Sequence, residues 1–140
     1  MQVIIGIDPR KATHTAVAVN GGEGELARLK VRATRAQVGK LLTWAAPLPS
    51  RTWAIESAEG LGFLLAQQLV TAGETVVDVP ATLAARTRVL GSGRSDKNDP
   101  NDTMSVAVTA LGTRGLGQVQ SVGNSDVLRL LSKRNSDIGR

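Results

Sequence analysis

The stretch that decides the fold is residues 2–20, QVIIGIDPRKATHTAVAVN. It opens with a short apolar run that ends in an acid, Asp8, which is typical of a buried strand. The run HTAVAVN at residues 14–20 is followed by Gly21 and Gly22, and it predicts a second strand that ends in a hairpin turn. The chain therefore opens with two strands, the first of which carries a carboxylate at its end.

The rest of the chain predicts an α/β fold. Three further strands are expected, at residues 24–31, 51–56 and 74–80. Helices are expected over residues 35–46 (with Thr34 as the N-cap), 60–73, 81–90 and 100–111, with a polar loop at 91–98. A trio of strands followed by alternating helices and strands predicts a mixed sheet flanked by helices, in which the first, fourth and fifth strands are parallel.

The composition fits one globular domain with a polyanionic partner. The chain has 140 residues, no cysteine, a net charge of +5 and only three aromatic residues, Trp44, Trp53 and Phe63. The lack of cysteine excludes disulfides and cysteine-ligated zinc, and the few aromatic rings argue against a base-stacking platform. No apolar run approaches the roughly 20 residues of a membrane span, so we expect a cytoplasmic protein without a membrane partner.

Two acids end apolar strands, Asp8 and Glu56. If their strands are neighbours and parallel, the two carboxylates lie side by side at the sheet edge where open α/β sheets place ligand sites. Two anions so close repel, so we expect a cation or a proton between them, and neutralising one acid should stabilise the metal-free protein. The alternative is that each acid is only the polar surface end of its strand.

A second group of acids lies in GSGRSDKNDPNDT, residues 91–103, which spaces Asp96, Asp99 and Asp102 three residues apart. Pro100 favours the first helical position, which makes Asp99 an N-cap and puts Asp102 where an acid suits the helix dipole. That capping interpretation explains the pair by itself. Residues i and i+3 also share a helix face, so the same two acids can point at a third object. Asp96 is predicted to be a solvated loop acid.

Laid across the sheet, the helix that begins near Asp99 would bring its acids over Asp8 and Glu56. Four carboxylates in a cleft with a basic rim suit two magnesium ions, because hard cations take oxygen ligands. Such a metal pair can activate a nucleophile and stabilise the leaving oxygen in phosphoryl transfer. The two acid pairs together, rather than either alone, predict a metal-dependent site.

Three segments carry a resemblance to a known family: IIGIDPRKATHTAVAV at 4–19, WAIES at 53–57 and KNDPNDTMSVAVTAL at 97–111. They resemble the Asp-Glu-Asp-Asp (DEDD) insertion-sequence transposases, relatives of the pilin-gene invertase, whose N-terminal domain is similar to the RuvC Holliday-junction resolvase. Lys97, Asp99 and Asp102 match a characteristic family segment, with Thr103 in place of the usual alanine. The resemblance implies an RNase H-like (RuvC-like) fold, a mixed five-stranded sheet flanked by helices.

The resemblance also implies an enzyme, a DNA transposase or recombinase of the bacterial cytoplasm. Its metal-binding catalytic tetrad would be Asp8, Glu56, Asp99 and Asp102, with two Mg²⁺ or Mn²⁺ ions as cofactor. DNA is the implied partner, together with a guide (bridge) RNA if the protein is of the RNA-guided type. Family members carry a C-terminal domain with a serine nucleophile, which no part of this chain matches, and the full-length protein is expected to be a homo-oligomer.

The domain organisation is predicted from the family resemblance and from the glycine-rich stretch GTRGLG at residues 112–117. We expect residues 1–112 to form the RuvC-like catalytic domain and residues 113–125 a flexible glycine-rich connection. Residues 126–140 are expected to begin a helix truncated from a longer protein. An apolar stripe on that helix predicts self-association.

Basic residues are expected to contact nucleic-acid phosphates. They lie near the proposed cleft and on the last helix: Arg86, Arg88, Arg94, Lys97, Lys133 and Arg134. For each of them the alternative is a solvated surface charge. His14, in the second strand, is predicted to be a surface residue rather than a ligand, because magnesium prefers oxygen.

Three other functions compete with this interpretation. Sugar kinases and actin-like ATPases open with a similar strand, but Pro9, Arg10 and Lys11 stand where a phosphate-gripping turn usually has glycine. A stand-alone RuvC-like junction endonuclease would be complete at this length and would cut four-way junctions. A non-catalytic nucleic-acid-binding or dimerisation module would show no response to divalent metal.

Overall fold

The computed structural model describes residues 2–92 and 99–121, and within these ranges it describes the backbone alone at residues 88–92 and 99–102. The described chain forms five strands and four helices in the order β1-β2-β3-α1-β4-α2-β5-α3-α4. The strands are β1 (Val3–Pro9), β2 (Thr13–Asn20), β3 (Glu25–Arg32), β4 (Arg51–Glu56) and β5 (Val76–Val79). All five strands were predicted to within a few residues, because each is a short apolar or alternating run between turn residues.

The five strands form one mixed sheet in the order β3-β2-β1-β4-β5. β1 pairs antiparallel with β2, and β2 antiparallel with β3. β1 pairs parallel with β4, and β4 parallel with β5. The predicted mixed sheet, with the first, fourth and fifth strands parallel, is therefore confirmed. We call the end at which these parallel strands terminate the carboxyl edge of the sheet.

The helices are α1 (Gln37–Ala45), α2 (Phe63–Thr71), α3 (Ala81–Ser92) and α4 (Asp99–Gly112). The predicted N-cap of α1 is wrong, since α1 begins at Gln37 and its N-cap position is Ala36. Thr34 instead accepts a hydrogen bond from the backbone N–H of Ala36 at 3.3 Å, as in a local Ser/Thr turn that precedes the helix. α3 extends two residues into the predicted polar loop, whose residues 93–98 lie outside the described part of the chain.

Both faces of the sheet are covered by helices. Successive residues of a strand point to opposite faces, so β1 sends Ile5 and Ile7 to one side and Ile4 and Gly6 to the other. The first side packs against α1 and α2, through buried residues that include Leu41 and Leu65. The second side packs against α3 and α4, through Ala84, Val106 and Ala107. Two apolar cores therefore hold the sheet between helix layers.

The outer edge of β5 is occupied by the segment that follows α4. The N–H of Asp78 donates to the carbonyl of Gly117, and the N–H of Val119 donates to the carbonyl of Val76, each at 2.8 Å. These bonds tie residues 117–119 of the expected glycine-rich connection to the sheet, and the flexibility of the connection stays a prediction. The domain boundaries stay a prediction, and residues 126–140 lie outside the described ranges.

None of the helices within residues 2–92 and 99–121 is both long enough and apolar enough to cross a bilayer.

Candidate active site

Asp8 and Glu56 occupy neighbouring positions at the carboxyl edge. The last register pair of β1 and β4 is Ile7 with Ile55, and each acid is the next residue of its strand. Adjacent strands lie about 4.8 Å apart, and residues at matching positions of parallel strands point to the same face. The structure therefore brings the two acids together, as the sequence predicted on the condition that their strands were parallel neighbours.

Strand alternation assigns both acids to the face that α4 covers. Asp8 lies two residues after Gly6, and a Cβ atom added to Gly6 would meet the backbone nitrogen of Ala107 in α4 at 2.7 Å. Glu56 lies two residues after Ala54, which belongs to the same apolar core as Ala107. α4 thus contacts β1 at Gly6, which is the residue before Asp8 on the same face of the strand. Glycine is required at position 6 because a side chain there would push α4 away.

Arg10 forms an ion pair with Asp8 that sequence reasoning missed. The Nε and Nη2 atoms of Arg10 donate to Oδ2 of Asp8 at 3.1 and 2.9 Å. The Asp8 side chain is 6% exposed and that of Arg10 is 48% exposed, so the guanidinium reaches inward from solvent. The spacing of two residues between Asp8 and Arg10 does not predict this ion pair. β1 ends at Pro9, so strand alternation no longer fixes the direction of the Arg10 side chain.

The turn after β4 is held by contacts that also position Glu56. Ser57 adopts a left-handed φ of 53°, and its N–H donates to the carbonyl of Val79 at 3.0 Å. Oδ1 of Asp78 accepts the N–H of Ala58 at 2.7 Å. Asp78 was not singled out from the sequence. Its contact indicates a structural acid that ties β5 to the turn beyond Glu56.

His14 lies on the opposite face of the sheet from Asp8. It is 4% exposed, so the expected surface position is wrong. Its Nδ1 accepts the backbone N–H of Arg10 at 3.2 Å, which anchors the main chain of the residue that pairs with Asp8. Burial lowers the pKa of His14, against weaker opposing effects of the Gln37 side chain, the Thr13 backbone and the charge of Asp8. A neutral ring suits this acceptor role.

The other two acids of the expected tetrad begin α4. Asp102 lies in the first turn of that helix, as predicted, whereas Asp99 is its first residue rather than the predicted N-cap; the side chains of both are outside the described part of the structure. Asp102 precedes Ala107 by five residues, about 7.5 Å along the helix axis. Among the described residues, no group of three or more acids, histidines or cysteines is placed to hold a metal. The described half of the tetrad is therefore the pair on β1 and β4.

The expected nucleic-acid contacts are only partly described. Arg86 is exposed on α3, and Arg88 follows on the same helix with its side chain outside the description. Arg94, Lys97, Lys133 and Arg134 lie outside the described ranges altogether. Their contacts with nucleic acid stay predictions.

The fold is similar to that of RuvC. A structure described as T. thermophilus RuvC in complex with Holliday junction substrate matches with a TM-score of 0.60 at 18% identity, covering 85% of this chain and 100% of that chain. A second Thermus thermophilus RuvC structure matches with a TM-score of 0.60 at 18% identity, covering 84% and 99%. The chain thus has the RuvC-like, RNase H-like fold that the resemblance implied.

Sequence comparison then assigns the family. A family model described as a transposase, of the IS110-type DEDD group, matches residues 5–139. The Insertion element IS116 uncharacterized 44.8 kDa protein of Streptomyces clavuligerus is 33% identical over 100 residues, which make up 70% of this chain and 25% of that protein. The chain belongs to the IS110-type DEDD transposase family, and it spans about a quarter of the length of this relative.

Proposed function

We propose that this chain is the catalytic domain of a DNA transposase and that Asp8, Glu56, Asp99 and Asp102 hold divalent metal ions for DNA strand cleavage and transfer. The observation that carries the proposal is the placement of Asp8 and Glu56 at matching positions of adjacent parallel strands. Family membership and the RuvC-like fold support the reaction class.

The described residues fit a cation at this site. Asp8 is buried, and its Oδ2 already accepts two hydrogen bonds from a guanidinium, so a positive charge stands beside it. Carboxylate oxygens are the ligands that Mg²⁺ and Mn²⁺ prefer. When bound, such ions activate the attacking oxygen and stabilise the leaving oxygen of a phosphodiester. The protein contributes rigid placement, because β1 and β4 are held between two apolar cores.

Asp99 and Asp102 of α4 would complete the proposed set of four metal ligands. α4 crosses β1 where Gly6 meets Ala107, and Asp8 lies two residues further along β1, roughly 6.6 Å from Gly6. A first turn that overhangs the carboxyl edge would therefore bring Asp99 and Asp102 within reach of Asp8 and Glu56. A guide RNA, a C-terminal serine-containing domain and homo-oligomerisation of the full-length protein remain predictions that rest on the resemblance.

A manganese titration followed by thermal unfolding tests the metal site. We expect Mn²⁺ to raise the Tm of the wild-type chain, because a ligand at 100 times its Kd stabilises the folded state by about 2.7 kcal/mol. Asp8→Asn, Glu56→Gln and Asp102→Asn should each remove most of this shift. Glu59→Gln changes an exposed acid three residues beyond Glu56 and is the matched control. Equal shifts in all variants would overturn the proposal.

A second candidate is a nucleic-acid-binding module without catalysis. The Arg10–Asp8 pair favours it, because the guanidinium compensates the buried carboxylate without any metal. This candidate predicts no Mn²⁺-dependent rise in Tm for the wild-type chain and unchanged DNA affinity in Asp8→Asn.

A further inference from the structure

A cavity of about 390 Å³ lies on the face of the sheet that α1 and α2 cover, opposite the face of Asp8 and Glu56. It is enclosed by the turn between β1 and β2, the segment that precedes α1, and the start of α2, and we call it the α1–α2 cavity. Its volume falls in the range of roughly 300–1,000 Å³ that is typical of small-ligand pockets. The cavity is therefore a second concave surface of ligand size, outside the candidate active site.

The rim of the α1–α2 cavity is basic. Lys11 and Arg35 line it and are both exposed, and no acid is among the described residues of its lining. Lysine and arginine bind phosphate oxygens through charge-assisted hydrogen bonds. The rim thus favours an anionic ligand.

One wall of the cavity is apolar. Leu61 and Leu64 line it, and at 56% and 60% exposure they are the two most exposed large apolar side chains of the described residues. The buried Leu65 continues this wall inward. Single exposed leucines are common on protein surfaces, but two in one cavity form an apolar surface that a ligand can cover. A ligand with an apolar face and a negative charge fits the wall and the rim together.

Two buried polar side chains, His14 and Gln37, also line the cavity. Nδ1 of His14 accepts the N–H of Arg10, so the proton of the neutral ring lies on Nε2, which is a donor. Burial lowers the pKa of His14 and the Gln37 side chain raises it, which indicates that the two side chains are neighbours. Nε2 of Gln37 donates to Oε1 of Gln68 at 2.7 Å, but in the described part of the chain no donor meets Oε1 of Gln37 with hydrogen-bond geometry. A buried acceptor without a partner is costly, and a ligand that carries a donor would satisfy it.

We propose that the α1–α2 cavity takes up one unpaired nucleotide of the DNA substrate, with its base against Leu61 and Leu64 and its phosphate at Lys11 and Arg35. This inference rests on the proposed function, since it gives the cavity the same DNA substrate as the acids. Proteins that bind a base outside the double helix hold it against aromatic or apolar side chains and form hydrogen bonds with its polar edge. A nucleotide combines such a base with a phosphate, as the wall and the rim require.

The cavity and the candidate active site meet at Arg10. Its guanidinium donates to Asp8, and its backbone N–H donates to His14 of the cavity. Both places therefore lie at the carboxyl edge of the sheet, on opposite faces. A DNA strand that passes over this edge can bring one phosphate to the acids and a neighbouring nucleotide to the cavity.

A different occupant of the same cavity would be an apolar side chain of a second copy of this chain. The net charge of +5 and the basic rim oppose that contact, because like charges repel. Self-association through the cavity predicts that Leu61→Gln/Leu64→Gln sediments as a smaller species than the wild type, without any change in DNA binding. Sedimentation of the variants used below separates the two occupants.

The test compares two labelled DNA duplexes by fluorescence anisotropy with the 140-residue chain. One duplex carries a single unpaired nucleotide and the other an abasic residue at the same place, so the ratio of their affinities reports the base alone. EDTA is present, so that binding does not depend on the metal site. We expect the wild type to prefer the unpaired nucleotide about fivefold or more, and Leu61→Gln/Leu64→Gln to bring the ratio close to one. Leu26→Gln, which also replaces an exposed leucine, is the matched control and should keep the preference.

The phosphate contacts are tested with the same two duplexes. Lys11→Gln/Arg35→Gln should weaken the binding of both and reduce the slope of log K against log salt by about one to two, because each lost phosphate contact contributes about 0.9. Lys11→Arg/Arg35→Lys keeps both charges and should bind nearly as the wild type does. Lys40→Gln/Arg114→Gln removes two exposed cations outside the cavity and is the matched control.

Three outcomes would overturn the inference. They are a wild-type chain that binds neither duplex or binds both equally, an unchanged ratio in Leu61→Gln/Leu64→Gln, and equal losses of affinity in the two double cation variants. The manganese titration reports separately on the proposed function. If Mn²⁺ stabilises the wild-type chain but the ratio is one, only the role of the cavity is lost. If the preference is found and Mn²⁺ has no effect, the cavity binds a nucleotide and the proposed metal site is lost.

Discussion

Arg10 and Asp8 form a part-buried ion pair in which Nε and Nη2 of the arginine both donate to Oδ2 of the carboxylate. The pair forms just beyond the end of β1, where the main chain of Arg10 is also anchored to His14. A metal bound to Asp8 has to share or displace this guanidinium. With the proposed metal site, Arg10 would therefore couple the stability of the metal-free protein to its affinity for metal.

Arg10→Gln should move these two properties in opposite directions. Loss of the pair should lower the free energy of unfolding without metal by about 1 kcal/mol, since Arg10 is half exposed and solvent weakens its contribution. The Mn²⁺ concentration at half-maximal stabilisation should fall about fivefold, because two unit charges 4 Å apart interact by about 1 kcal/mol in water. Urea unfolding and a manganese titration measure the two effects.

Arg28→Gln is the control for that variant, because it breaks an exposed arginine–carboxylate pair that does not include Asp8. Its unfolding free energy should change by less than about 0.5 kcal/mol, and its Mn²⁺ midpoint should stay the same. A weaker response to Mn²⁺ in Arg10→Gln would contradict competition between the guanidinium and the metal.

Asp8→Asn should destabilise the metal-free protein. From the sequence alone the opposite sign was expected, because the repulsion between two neighbouring acids would be relieved. The structure changes this prediction, since an uncharged side chain at position 8 would remove the ion pair between Arg10 and Asp8. A double-mutant cycle with Arg10→Gln should give a coupling of about 1 kcal/mol, and a coupling near zero would show that the pair adds nothing to stability.

Gly6→Ala should loosen α4 from the sheet. The added Cβ would stand 2.7 Å from the backbone nitrogen of Ala107, a contact that only movement of the helix can relieve. We expect a loss of about 1–3 kcal/mol in unfolding free energy, together with a weaker Mn²⁺ response if the α4 acids belong to the metal site. Gly39→Ala is the matched control, because nothing lies within 4 Å of its added Cβ. In α1 it should stabilise by about 0.5–1 kcal/mol.

Glu74 should make the protein sensitive to acid. Arg51 donates to both of its carboxylate oxygens, at 2.8 and 2.9 Å, and Nε1 of the buried Trp53 donates to Oε1 at 2.7 Å. The bonds from Arg51, followed by the bond from Trp53, lower the pKa of Glu74 below its ordinary value of 4.5, although burial acts in the opposite direction. The stability from this lowered pKa is present above pH 4.5 and is lost as pH falls through the folded-state value.

Glu74→Gln should therefore reduce stability near neutral pH and flatten the fall in stability below pH 4.5. Urea unfolding followed by tryptophan fluorescence across this range measures the effect. Glu59→Gln, at an exposed position, should show the same fall in stability below pH 4.5 as the wild type. If Glu74→Gln also showed this unchanged fall, the acid sensitivity would belong to other carboxylates.

Much of the candidate site was predictable because its signals are local. Asp8 and Glu56 each end an apolar run, and Asp99 stands before a proline that favours a helix start, so their places in strands and helix follow from neighbouring residues. Arg10 and the buried position of His14 were missed. Both depend on how the chain turns after β1, and no periodic pattern covers that turn.

The charged residues Arg28, Lys30 and Arg32 of β3 were also not singled out from the sequence. A strand that alternates apolar and charged residues is typical of any half-exposed sheet, so the pattern alone did not show that these charges lie near Asp8. Only the register, in which Lys30 meets Thr15 and Thr15 meets Asp8, places these charges beside the acids.

The sequence by itself determined which segments become strands and helices, and that an acid closes two of the strands, because these properties depend on residues a few positions apart. The tertiary structure decided that β1 lies between β2 and β4, that α4 touches β1 at Gly6, and that a guanidinium occupies one oxygen of Asp8. Those relationships join segments distant along the chain. These long-range relationships arise because both faces of the sheet must be buried and because a buried charge needs a partner. Both requirements are met only when the whole chain is packed.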